Sequence, residues 1–159
     1  MNDSWESFAA ALLDETTLLR RVNDASQRLT LALVANDPTQ IMQAERELDG
    51  ARKAYASACG KRSGMQVRGF GKMSLRQVCA YAPRAIAPAL NQRFSELATG
   101  AISLRITTAN NKALIASGLE RLMKVTSVLQ RASNDAPGTY RRRGFVPPPT
   151  NSVLVSQSA

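Results

Sequence analysis

From Leu90 to Leu129 one face of the chain recurs at alternating steps of four and three: Leu90, Phe94, Leu97, Ala101, Leu104, Thr108, Asn111, Ile115, Gly118, Leu122, Val125 and Leu129. A mean step of 3.5 residues sustained over that length holds a single stripe on one side of an α-helix, and the stripe needs another helix to cover it. A strand cannot carry the pattern, because its side chains change face at every residue. A second run, Trp5, Phe8, Leu12, Glu15, Leu19, Val22, Ser26, Leu29 and Leu33, steps in the same way. A third, Ile41, Ala44, Leu48, Ala51, Tyr55 and Ala58, is half alanine. Small side chains there favour close antiparallel packing on the first helix.

Caps and breakers set the boundaries. Asp3 with Glu6 forms a capping box for a first helix over about 4–35. Asn36-Asp37-Pro38 closes it and opens a second, with Asp37 as N-cap, Pro38 in the first turn and Gln40 completing a box. Gly60 is a natural stop, giving about 38–59. Residues 60–73, GKRSGMQVRGFGKM, hold four glycines and four bases and read as a flexible cationic loop; they lack the spacing of a phosphate-cradling loop. Ser74 with Gln77 caps a short helix over 75–81, and Pro83 ends it. Pro88 sits in the first turn of the last helix, about 88–132, whose weakest point is Gly100. Beyond Ser133 the periodicity stops and four of the seven prolines occur. The expected fold is all-α: an antiparallel bundle of three long helices plus one short helix over 1–135, with a disordered, basic C-terminal tail over 136–159. Few aromatic side chains, 5% of the total, agree with helices rather than a β-sandwich.

Chemistry is scarce. The chain has no histidine, its carboxylates are scattered over expected solvent faces, and no Ser, Lys or Cys stands in a nucleophile motif. Cys59 and Cys79 lie outside any CxxC spacing and read as small buried apolar groups. No catalytic residue, metal ligand or cofactor is therefore expected. The start, MNDSWESFAA, lacks the basic and apolar regions of a signal peptide, and no stretch approaches the roughly 20 apolar residues of a membrane span. The expected location is the cytoplasm, without membrane insertion.

The net charge is +9, and the basic excess lies wholly after residue 59, since residues 1–59 hold nine acids against six bases. Lys61, Arg62, Arg68, Lys72 and the run Arg141–Arg143 could face phosphates, so a small nucleic-acid-associated bundle is the alternative reading. Against it, only Phe70 and Tyr140 are placed to stack on bases, and no helix-turn-helix or zinc finger is present.

Length is more informative than charge. The last helix is about twice as long as the second, so part of its stripe must lack cover. If its C-terminal half is bare, Ile115, Leu119, Leu122, Val125, Val128 and Leu129 form an apolar strip rimmed by Arg121, Lys124 and Arg131. Such a strip suits a partner's amphipathic helix or, as a third reading, a homodimer in which two copies cover each other. Asn111 falls on the seam with Asn110 beside it. A seam asparagine fixes register through a polar partner, for which Glu15 and Ser26 are the candidates; the alternative role is bonding a partner's backbone.

The order of these features resembles the FlgN family of flagellar type III export chaperones. The residues that carry the likeness are Leu13-Asp14-Glu15 followed by Leu18 and Leu19, then a second helix and a glycine-bearing loop. Asn111, Leu114 and Ile115 follow as N-x-x-L-I, and Tyr140 with Gly144 as Y-x-x-x-G at the start of the tail. The resemblance implies a cytoplasmic helical protein without enzymatic activity. Such a protein binds the C-terminal helical segment of hook-associated proteins of the hook–filament junction, prevents their premature assembly and delivers them to the export gate. It implies a client surface made by Asn111, Leu114, Ile115, Leu119, Leu122, Val125, Val128 and Leu129, with Tyr140 docking client or gate. Two features depart from the family. Thr108 stands where a further asparagine is frequent, keeping a hydroxyl for a polar layer with Asn111, and the chain is basic where export chaperones tend to be acidic.

Overall fold

In the computed structural model, which describes residues 2–134 and the pairs 140–141 and 144–145, the chain is an all-α bundle. Its elements are α1 (Asn2–Ala35), α2 (Pro38–Phe70), α3 (Leu75–Ala80), α4 (Ala87–Asn134) and two short strands, β1 (Tyr140–Arg141) and β2 (Gly144–Phe145). Met1–Ile115 forms one compact unit and Ala116–Ala159 a second.

In the first unit α1 and α2 form a hairpin about a tight corner. Asn36 takes the left-handed conformation, φ 53°, which asparagine tolerates better than most residues. Asp37 then caps α2, its Oδ1 accepting from the backbone N–H of Thr39 at 2.9 Å and of Gln40 at 3.2 Å. Ion pairs fix the directions. Arg28 meets Glu47 at 2.9 Å and Arg62 meets Glu15 at 2.6 Å, so α2 runs antiparallel to α1. Arg20 meets Glu96 at 2.8 Å, and the Asn23 amide donates to the Gly100 carbonyl at 3.0 Å, so α4 returns parallel to α1.

The core has two parts. Val22, Ala25, Leu29 and Ala32 of α1 pack on Ala44 and Leu48 of α2, with Leu104 of α4 alongside. Phe8, Leu12, Val78, Cys79 and Leu90 form the other cluster, walled by Trp5, Met65, Phe70 and Phe94. As the middle helix, α1 must bury two faces. That is why Thr16, Asn23, Ala25 and Ala32 are buried in addition to the seam residues read from the sequence.

Two expectations concern glycine. The first, the loop over 60–73, fails, because α2 continues as helix to Phe70 and closes only at Gly71, φ 65°. Gly60, Gly64 and Gly69 sit on open faces of that helix, each at a cost of about 1 kcal/mol relative to alanine. Burial beyond them offsets that cost: Phe70 lies 4.5 Å from Trp5 and 5.2 Å from Phe8 between ring centroids. The other concerns Gly100, read as the weakest point of the last helix, through which α4 runs unbroken. A Cβ on Gly100 would come within 2.9 Å of Leu19 Cδ2, so glycine here permits close approach of α4 to α1.

In the second unit α4 continues to Asn134, and β1 and β2 pair antiparallel, Tyr140 opposite Phe145 and Arg141 opposite Gly144. Apart from those two pairs, the tail expected over 136–159 lies outside the described residues. Among the described residues no helix is long and apolar enough to cross a membrane.

Because Leu19 is buried, Gly100→Val is expected to destabilise the chain by roughly 1–3 kcal/mol through overpacking. Urea denaturation measures this, and a midpoint equal to or above wild type would show that the two helices can separate there freely.

Candidate functional site

The seam of α4 changes state along its length. Leu90 is fully buried, Phe94, Leu97 and Leu104 are half-buried, and Asn111 is buried to 4% exposure. After that residue the stripe is bare, with Leu114 half-buried and Ile115 already 40% exposed.

Asn111 is where α1 grips α4. Its Nδ2 donates to the Ser26 carbonyl at 3.1 Å and lies 3.4 Å from Ser26 Oγ, while its Oδ1 accepts from the Thr30 hydroxyl at 2.7 Å. α1 has only five residues left beyond Thr30, so its cover ends within about a turn and a half of this layer. α2 begins at the same end, at Pro38, and cannot extend the cover either.

The polar layer is therefore Ser26, Thr30 and Asn111. Two residues expected in it lie elsewhere. Thr108 is half-buried and makes no side-chain hydrogen bond among the described residues. Glu15, 1% exposed, is held by Arg62 of α2, Nε to Oε2 at 2.6 Å and Nη2 to Oε1 at 3.2 Å. The same guanidinium donates to Gln66 Oε1 at 2.7 Å, and Gln66 Nε2 donates to the Met73 carbonyl at 2.6 Å, which ties the α2–α3 connection to α1. Hydrogen bonding to Glu15 raises the Arg62 pKa. Burial, followed by the charge of Glu15, pushes the Tyr55 phenol up, and the Cys59 thiol rises for the same two causes. Cys59, expected to be buried, is only half so and sits 3.8 Å from Arg62 Nη2; a thiol held protonated is a poor nucleophile.

This ion pair also subtracts from the basic set proposed for phosphates. Lys61, Arg68 and Lys72 are exposed, Arg62 is engaged inside the bundle, and the side chains of Arg141–Arg143 lie outside the described residues. Nor is Asn111 open to a partner, since its amide is engaged within the first unit.

Most of the remaining residues expected to form a client surface lie on the α4 stretch of the second unit. Leu119 is 56% exposed, Leu122 64%, Val125 56%, and Val128 and Leu129 61% each. Met123, at 73%, joins them, although it falls off the seam that the spacing marks. Several polar groups of this stretch are satisfied locally. Thr126 Oγ1 donates to the Leu122 carbonyl at 2.9 Å, Ser127 Oγ to the Lys124 carbonyl at 2.8 Å, and Lys124 pairs with Glu120 at 2.7 Å. At 3.6 residues per turn only Arg121 flanks the seam, while Lys124 and Arg131 fall on the opposite face, so the expected basic rim reduces to one residue. Tyr140 is in β1, and its side chain lies outside the described residues. What the strip offers is hydrocarbon surface for burial against another apolar face.

Arg62 could have been found from sequence. A carboxylate on a buried seam needs a counter-charge, and folding the hairpin at Asn36–Asp37 brings Glu15 level with the region of Arg62. Thr30 and Asn23 give no such signal. No family model, curated protein or solved structure matches the chain.

Arg62→Ala leaves Glu15 as an uncompensated buried charge and is expected to destabilise by about 3 kcal/mol, whereas Glu15→Leu combined with Arg62→Met should recover most of that loss. Chemical denaturation of the two variants checks this. A single variant as stable as wild type would mean that water replaces the guanidinium.

Proposed function

We propose that this chain is a non-enzymatic binding protein of the flagellar export-chaperone kind. It would hold the C-terminal amphipathic helix of a hook-associated protein along the exposed strip of α4, keep that helix from premature assembly and hand it to the export gate. The observation that carries the reading is the phase of the strip. Leu122, Val125 and Leu129 continue the heptad seam that is buried at Leu90 and Asn111 and half-buried at Phe94, Leu97, Leu104 and Thr108, yet each is more than half exposed. A chain that only needed to fold would gain nothing by keeping a coiled-coil seam through exposed positions. The order of motifs that resembles the FlgN family supplies the identity of the client and the cytoplasmic setting.

A helix laid on such a strip reads it at spacings of three, four and seven, and Leu122, Val125 and Leu129 stand at those spacings from one another. A client segment that orders on binding spends part of the gross interaction on its own ordering, which keeps affinity moderate and release feasible. With several polar groups of the strip satisfied within α4, affinity should come from apolar burial and show a negative heat-capacity change.

Calorimetric titration of the full chain with the C-terminal segment of a hook-associated protein is expected to give saturable one-to-one binding at physiological salt. Leu122→Asp or Val125→Asp should weaken it by about a hundredfold, since a buried carboxylate would replace an apolar contact. Helicity and melting should stay unchanged, because both positions are already exposed. Absence of saturable heat with wild-type protein would sink the proposal, and unfolding of either variant would show the strip to be core.

A further inference from the structure

Within the first unit, α1, α2 and α4 enclose a second open surface. A groove of about 400 Å³ runs between Tyr55 of α2 and the α4 segment around Leu104, with Leu19 of α1 and Ala101 in its lining. Its charged groups are all of one sign. Arg105 and Lys112 line it from α4, both are exposed, and neither forms an ion pair among the described residues. Thr108 lies between them, and neither its hydroxyl nor that of Tyr55 makes a hydrogen bond among the described residues. No carboxylate lines the groove. The one that acts on Tyr55, Glu15, is already held by Arg62.

An apolar floor with two unpaired cations and two unpartnered hydroxyls calls for an occupant that is apolar on one face and anionic at its edge. Arg105 and Lys112 are one heptad apart, about 10.5 Å along the axis. Residues i and i+7 of a helix have that same separation. We infer that this groove takes an acidic amphipathic helix of a partner protein, its apolar face on Ala101, Leu104 and the Tyr55 ring and its carboxylates, one heptad apart, on Arg105 and Lys112. A phosphate backbone would use the cations but leave the apolar floor wet, and only one aromatic ring lines the groove for a base to stack on. Its lining belongs wholly to Met1–Ile115 and shares no residue with the strip on which the proposed function rests. Exposed charges of this kind set partner choice and association rate more than total affinity.

Two synthetic peptides test the assignment by fluorescence anisotropy on the full chain at two salt concentrations. They share a leucine heptad seam and carry at one flanking position per heptad either glutamate or lysine. The glutamate peptide is expected to bind saturably and about five- to tenfold more tightly than the lysine peptide, with the margin shrinking at high salt. Arg105→Glu with Lys112→Glu should reverse the preference, whereas Arg46→Glu with Arg52→Glu, an equal change in net charge elsewhere, should leave it. Leu122→Asp should leave the glutamate peptide's affinity within about twofold. Equal binding of the two peptides, or equal effects of the two charge-reversed variants, would overturn the inference. Loss of binding in Leu122→Asp would also overturn it, because the peptide would then occupy the strip; that outcome leaves the proposed function standing. Displacement of the glutamate peptide by single-stranded DNA at physiological salt would reassign the cations to phosphates and overturn it likewise.

Discussion

The Asn111 carboxamide fixes the register of α4 on α1, giving its Nδ2 protons to Ser26 and taking the Thr30 proton on Oδ1. Sliding either helix by a heptad would leave a buried amide without partners, and an unpaired buried polar group costs about 1–3 kcal/mol. A uniformly apolar seam would carry no such penalty, and several registers would compete. With the register set, the reach of α1 is set too. Ala35 ends it shortly after the Asn111 layer, and the stripe of α4 passes from buried to exposed there.

A second polar contact governs the opposite end of the bundle. Glu15 and Arg62 form a two-point pair, and through Gln66 the same guanidinium reaches the Met73 carbonyl. These contacts lie in the part of α2 that carries Gly60, Gly64 and Gly69, where helix propensity is weakest. A buried ion pair gives little net stability against an apolar alternative. Its effect is positional: with α2 held helical through these glycines, Phe70 arrives beside Trp5 and Phe8 and closes the second core cluster.

Periodic features are legible in the sequence, and features that depend on a distant partner are not. The heptad steps place the long helices, and the Asp37 and Ser74 caps form as read, because each is settled by residues within one turn. Gly60 reads as a stop because its local signal is strong, but the contact that overrides it comes from Glu15, far earlier in the chain. Gly100 reads as a weak point for the same reason, whereas its role is set by Leu19 across the interface. At the candidate site, the exposed leucines and valines of the strip can be named from spacing alone. Asn111 with Ser26 is among the pairings the seam positions suggest, whereas Thr30, which lies off the seam of α1, gives no such signal.

The two open surfaces differ in the kind of recognition they allow. Along the strip, Thr126 and Ser127 bond back to the helix and Lys124 is paired with Glu120, so a partner finds those polar groups already engaged and gains mainly by burying hydrocarbon. Burial of that kind is weakly sensitive to salt and tolerant of sequence, as suits a surface that must take a helix and let it go. Around the other groove the hydroxyls and cations have no internal partners, so an occupant is chosen by where its carboxylates fall. This separation also bears on the +9 charge. Arg62 neutralises Glu15 and Lys124 neutralises Glu120, so part of the basic complement is spent internally. Among the cations left free, Arg105 and Lys112 line an apolar groove one heptad apart. A basic chain of this design selects partners by the placement of a few charges on an apolar background, which is a different matter from attracting any polyanion.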